Sequence, residues 1–208
     1  MNLPNKLTVF RIILVLVMII IPFFGFEGEI ANIPVTYLII DLIFIIASIT
    51  DKLDGYIARK NNQVTTFGKF LDPLADKILV LSAMMMLVEM NKLPAIIPII
   101  VILREFVVSG YRLVAVEKGG EVIAASNWGK IKTVTQMLAI MLAFVDLNVF
   151  GECFKGTLEG GALILNITVT AMMIIQLIAT VISGIDYLKG AKDLIKDKWF
   201  KYRLNFKV

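Results

Sequence analysis

Six apolar runs, each about as long as a bilayer is thick, divide this chain and leave it few ways to fold. They cover residues 7–26, 34–59, 67–90, 94–117, 128–147 and 161–188. A helix needs about 20 mostly apolar residues to cross the hydrocarbon core. In lipid every backbone N–H and C=O must be satisfied internally, so a spanning chain is either helical or a closed barrel. Barrel strands alternate apolar and polar residues over roughly ten positions. Stretches such as Leu38-Ile39-Ile40 and Ile96-Ile97-Pro98-Ile99-Ile100 do not alternate. The expected fold is an all-α integral membrane protein of six transmembrane helices. Residues 1–208 read as one domain, because the links are short and no internal repeat stands out. Arg11 interrupts the first run, and no small-residue cleavage site follows it, which argues against a signal peptide.

Charge orients these runs. Arg59, Lys60 and Lys69 lie between the second and third, and Lys118 and Lys130 between the fourth and fifth. Seven bases from Lys189 to Lys207 follow the sixth. The alternate links hold only Lys92 and Lys155 as bases, beside several glutamates. By the positive-inside rule both termini are cytoplasmic. The tail 189–208 interleaves its bases with Trp199, Phe200, Tyr202 and Phe206, a pattern suited to an interfacial segment on anionic lipid. The formal charge of +4 therefore reads as topology and lipid attraction, not nucleic-acid binding.

Composition removes several chemistries. There is no histidine, which excludes a histidine base, a Ser-His triad and a His-ligated zinc site. Cys153 is the single cysteine, so neither an intrachain disulfide nor a Cys-rich metal site can form.

The acidic residues carry what remains. Asp51, Asp54, Gly55 and Ala58 share one face of a helix, and Gly68, Asp72 and Asp76, spaced by four, share one face of the next. The short polar link makes these helices antiparallel neighbours, so four carboxylates are expected to converge near the cytoplasmic boundary. Each close pair would repel by about 4 kcal/mol at an effective dielectric of 20. Such a group must be protonated, paired with bases such as Lys52, Lys69 and Lys77, or bridged by cations. An all-oxygen donor set suits Mg²⁺ or Mn²⁺, and two such ions side by side suit phosphoryl-type transfer. The small residues Gly55, Ala58 and Gly68 either admit a flat ligand or let helices pack closely.

The spacing D-x2-D-G-x2-A-R-x8-G-x3-D-x3-D, filled here by Asp51, Asp54, Gly55, Ala58, Arg59, Gly68, Asp72 and Asp76, resembles the signature of the CDP-alcohol phosphotransferases. That family is six-helical and commonly homodimeric. The resemblance implies that Asp51, Asp54 and Asp72 bind two divalent ions, with Asp76 a further ligand or the catalytic base. It also implies that Asp54, Gly55, Ala58, Arg59 and Gly68 face the cytidine nucleotide. The flanks 4–11, 72–77, 104–105 and 129–133 with Gln136 are similar to the branch that makes phosphatidylglycerophosphate from CDP-diacylglycerol and glycerol 3-phosphate. Asn5, Thr8 and Arg11 then become candidates for an N-terminal side of the pocket.

An acceptor phosphate needs cations, and Arg104, Arg112 and Lys130 are the candidates. Lys130 and Lys132 differ by 200° on a helix, so one of them is expected to enter the pocket. Arg104 and Glu105 are adjacent, a spacing at which helical side chains do not face one another well. Asp41 lies outside the family pattern, within about 80° of Asp51 around its helix. Other acceptors of the same family (inositol phosphate, serine, phosphatidylglycerol) compete with this reading. An ion transporter competes from another class, because intramembrane acids also mark ion paths. Four acids at one membrane edge argue against a path that must cross it. The expected location is the plasma membrane, with the site on its cytoplasmic side.

Overall fold

A computed structural model describes residues 2–60, 65–117 and 127–205. Within these, the side chains at 52, 58–59, 66–67, 69–70, 113–117, 127 and 189–205 are not described. The described residues form six α-helices: α1 (Leu3–Ile20), α2 (Val35–Lys60), α3 (Thr66–Glu89), α4 (Ile96–Glu117), α5 (Asn127–Val145) and α6 (Gly160–Asn205). Among the described residues, two stretches have the length and hydropathy of a membrane span by themselves, Leu3–Phe24 and Gly160–Leu188.

Local chemistry sets several boundaries. Pro4 sits in the first turn of α1, where its missing N–H costs nothing. That start brings Asn5 into the helix, earlier than the apolar run suggested. Thr65 caps α3, its hydroxyl accepting from the Gly68 amide at 3.0 Å. The 46-residue α6 runs unbroken past the sixth apolar run into the basic tail. The link after α1 is more ordered than the sequence suggested. It holds a 3-10 turn (Ile21–Phe24) and a two-residue hairpin, β1 (Glu29–Ile30) paired antiparallel with β2 (Ile33–Pro34). Ala31 and Asn32 both have positive φ, at 52° and 66°, as a tight two-residue hairpin turn requires.

Packing is selective. α1 lies against α2 and α3, α5 against α6, and α4 chiefly against α6. The core is large and apolar, centred on Ile40, Phe44, Leu79, Met84, Leu87, Ile140, Phe144 and Met173. Phe10, Leu103, Phe106, Ile164 and many other large apolar side chains remain exposed. A soluble surface rarely carries so much exposed apolar area, whereas lipid is the solvent such a surface needs.

The buried face of α1 is the one that matters for chemistry. Pro4, Thr8, Arg11, Val15 and Met18 are all buried, at spacings of four and three. This is the stripe of a helix packed along its length, with a hydroxyl and a guanidinium in its N-terminal half where apolar residues would ordinarily stand.

Candidate active site

α2 and α3 bring Asp51, Asp54, Asp72 and Asp76 to one region, but α1 stands among them. Arg11 is fully buried, with Nη1 2.7 Å from Asp51 Oδ1 and Nη2 bonded to Asp54 Oδ2. The contact with Asp51 is an ion pair without hydrogen-bond alignment, and Arg11 Nε has no partner. The Thr8 hydroxyl lies 2.7 Å from Asp72 Oδ1 and 3.4 Å from Asp54 Oδ2. One residue of α1 thus pairs with both α2 acids, and another links Asp54 to Asp72 of α3.

The carboxylates converge, with a guanidinium and a hydroxyl of α1 standing among them. Among the described residues no three acidic side chains form a ready metal-holding group. A buried guanidinium pairs with Asp51 and Asp54. The donor chemistry still fits a hard divalent cation. All four ligating groups would be carboxylate oxygens, and Asp76 Oδ1 is buried with no hydrogen-bond partner. Lys77 does not pair with an aspartate. It bonds to the Ser109 hydroxyl and lies 3.9 Å from Glu105.

Gly68 is in its place because of Asn5. A Cβ added there would stand 2.9 Å from Asn5 Oδ1 and 3.2 Å from Thr65 Oγ1. The Asn5 carboxamide is itself fixed, accepting from the Thr65 hydroxyl at 3.0 Å. The close approach of α1 to α3 leaves no room here for a side chain. Gly55 is half-buried on α2. The side chains of Ala58 and Arg59 lie outside the described residues.

Asp76 connects this region to a second one. It feels the charges of Asp51 and Arg11 on one side and of Lys132 and Glu105 on the other. A cavity of about 120 Å³ opens there, lined among others by Asp76, Lys77, Arg104, Glu105, Lys132 and Gln136. Glu105 gathers the cations. Its Oε1 accepts from Arg104 Nη1 at 2.8 Å and from Lys132 Nζ at 2.7 Å. The adjacent pair Arg104–Glu105 does form, against the expectation from helical spacing, because both long side chains bend to one point. Arg104 also donates to Ser183 Oγ at 2.5 Å, passing Gly184, whose absent side chain leaves room beside Arg104 Cγ.

Of the two α5 lysines, Lys132 is buried in this cavity and Lys130 is exposed. Arg112 is exposed too. It donates to the Tyr187 hydroxyl at 3.1 Å and does not line the cavity. The sequence left the choice between Lys130 and Lys132 open and gave Glu105 no part beyond its adjacency to Arg104. The signal available was the 200° separation of the two lysines, which required a choice but could not make it. Asp41 is buried but turned to a different neighbourhood, in the field of Lys92.

Comparison with known proteins gives this arrangement a context. Residues 1–183 match the CDP-alcohol phosphatidyltransferase family. A protein of Bacillus subtilis named CDP-diacylglycerol--glycerol-3-phosphate 3-phosphatidyltransferase is 51% identical over 67% of this chain and 74% of its own length. Proteins of the same name from Haemophilus influenzae and Rickettsia typhi are 40% and 36% identical. They cover 94% and 92% of this chain, and 96% and 97% of their own lengths. A signature of four aspartates on two adjacent helices, and a match over most of the length, lead to one conclusion: the chain belongs to the CDP-alcohol phosphatidyltransferase family.

Proposed function

We propose that this membrane enzyme transfers the phosphatidyl group of CDP-diacylglycerol to glycerol 3-phosphate, giving phosphatidylglycerophosphate and CMP. Its relatives carry the name of that activity. The single observation that carries the reading to this chain is the cavity where Asp76 shares a wall with Lys77, Arg104 and Lys132. A carboxylate beside three cations suits an acceptor with a hydroxyl to be deprotonated and a phosphate to be held.

In this reading the acceptor hydroxyl attacks the β-phosphorus, which bears the diacylglycerol. The new P–O bond forms as the bond to the CMP oxygen breaks. The hydroxyl proton passes to Asp76, since no histidine is present. Lys132 and Arg104 hold the acceptor phosphate, with Arg112 nearer the entrance. Lys132 takes the part first given to Lys130. The partnerless Arg104 Nε is a donor free for such an anion. Gly55, Ala58, Arg59 and Gly68 belong to the nucleotide side, and Asn5, Thr8 and Arg11 form the wall that α1 contributes.

The family generally depends on divalent metal. Asp51, Asp54 and Asp72, with Asp76 adjoining, would hold two ions, Mg²⁺ or Mn²⁺. Such ions would supply charge neutralisation for the diphosphate and the departing CMP.

All six helices cross the plasma membrane in this reading, with both termini and the site on the cytoplasmic side and α6 continuing into a basic interfacial segment. The active form is a homodimer. Purified enzyme given CDP-diacylglycerol should release CMP with glycerol 3-phosphate and not with inositol phosphate, serine or phosphatidylglycerol. Release with another acceptor alone would replace this substrate. Ion flux in liposomes without CMP release would replace the class.

A further inference from the structure

Glu105 is part-buried at a junction of three helices and is surrounded by bases. Arg104 comes from its own helix α4, Lys132 from α5 and Lys77 from α3. Its side chain is 15% exposed and Lys132 only 8%. Among the described residues it is the only acid that these three bases share. Three cations this close repel one another strongly at low dielectric. Two of them also have a nearby neutral partner to retreat to. Ser109 bonds Lys77, and Ser183 bonds Arg104. Without an anion among them, the bases have reason to separate.

We propose that Glu105 is a positioning residue for the acceptor. By drawing Lys132 and Arg104 to a single carboxylate oxygen, it fixes the spacing of the two cations before substrate arrives. It thereby makes the enzyme selective for a phosphate-bearing acceptor. The proposal rests on the acceptor reading given above. Its physical content is preorganisation: side chains already gathered need not be collected at an entropic cost on binding. Three bases against the two acids Glu105 and Asp76 leave the cavity with a formal positive charge, which attracts an anion without scattering its walls. Glu105 does not touch the reacting atoms. It acts through Lys132 and Arg104.

The test uses the full-length enzyme in detergent with four variants: Glu105→Gln, Glu105→Asp, Lys132→Met and the double variant Glu105→Gln/Lys132→Met. KM is measured separately for glycerol 3-phosphate and CDP-diacylglycerol, and inorganic phosphate serves as a competing probe. Glu105→Gln should raise KM for glycerol 3-phosphate about tenfold or more. It should weaken inhibition by inorganic phosphate in proportion and leave KM for CDP-diacylglycerol within about twofold. Glu105→Asp, which keeps the charge but withdraws it, should fall between. The double variant should be little worse than Lys132→Met alone, since both act on one seat. An unchanged acceptor KM in Glu105→Gln, with a raised one in Lys132→Met, overturns the role of Glu105 and leaves the phosphate site standing. Equal rises in both KM values, or additive effects in the double variant, also overturn it by pointing to a general structural role. No effect of Lys132→Met overturns the acceptor reading itself. Should Glu105→Gln not fold, wild-type acceptor KM in Glu105→Asp overturns the proposal.

Discussion

The guanidinium of Arg11 on α1 is fully buried against the carboxylate of Asp54 on α2, and the same group reaches Asp51 one turn away. The first helix is thereby tied to the aspartates by charge as well as by packing. A cation supplied by the protein and a divalent ion would compete for the same oxygens. Removing one partner of a buried pair costs about 3–5 kcal/mol, because the other charge is left uncompensated.

Arg11→Met should therefore lower the melting temperature most in chelator, where Asp51 and Asp54 have no other cation. Added Mg²⁺ should recover part of the loss. Thermal melting in detergent, with and without Mg²⁺, checks this. An equal loss in both conditions would mean that Arg11 serves packing and not charge.

The aspartates should divide by role. Asp51→Asn, Asp54→Asn and Asp72→Asn should each abolish turnover, and exhaustive chelation should do the same to the wild type. Asp76→Asn should keep CDP-diacylglycerol binding and lose turnover by about 10² or more, the scale of general-base catalysis. Paired measurements of metal and lipid affinity, then kcat, separate the two roles. Loss of all lipid and metal binding in Asp76→Asn would make it a ligand first.

Gly68→Ala should destabilise the protein by about 1–2 kcal/mol, since the new methyl displaces Asn5 from the Thr65 hydroxyl. Asn5→Ala in the same chain should restore part of that loss. Melting of the two single variants and the double variant decides it. Loss of CDP-diacylglycerol binding with unchanged stability would show instead that the space at Gly68 serves the nucleotide.

Lys92 predicts a pH dependence. It lies in the turn between α3 and α4, and donates to the carbonyls of Ala143 and Phe144 at 3.2 and 2.9 Å. Its ammonium also sits 4.4 Å from the centre of the Tyr37 ring. Burial pulls its pKa down from 10.5 to about 8, against the opposing charges of Asp146 and Asp41. An unfolded chain keeps the proton up to the higher value, so unfolding takes up a proton between the two. Stability should thus rise with pH from about 8 to 10.5, by about 3 kcal/mol at roughly 1.4 per pH unit. Lys92→Met should flatten the rise in melting temperature over that range. The same slope in wild type and variant would assign it to another group.

Much of this was legible in the chain. Apolar runs of bilayer length announced six helices because lipid leaves the backbone no alternative. Aspartates at spacings of three and four declared shared helix faces, because the helical period is a property of the backbone alone. The absence of histidine narrowed the base to what remained. The hairpin after α1 was not legible, because its strands are two residues each and too short for a periodic signal.

The sequence by itself determined which residues are candidates for the chemistry, through residue type, local spacing and the family signature they spell. Only the tertiary structure decided which of them meet. Arg11 and Asp54 are 43 positions apart, Thr8 and Asp72 64, and Glu105 and Lys132 27. No local period relates such pairs. Their meeting depends on how α1 seats against α2 and α3, and on how α5 is turned about its axis. Those rotations are set by the whole buried surface at once, which is why Lys132 rather than Lys130 lies in the cavity beside Asp76.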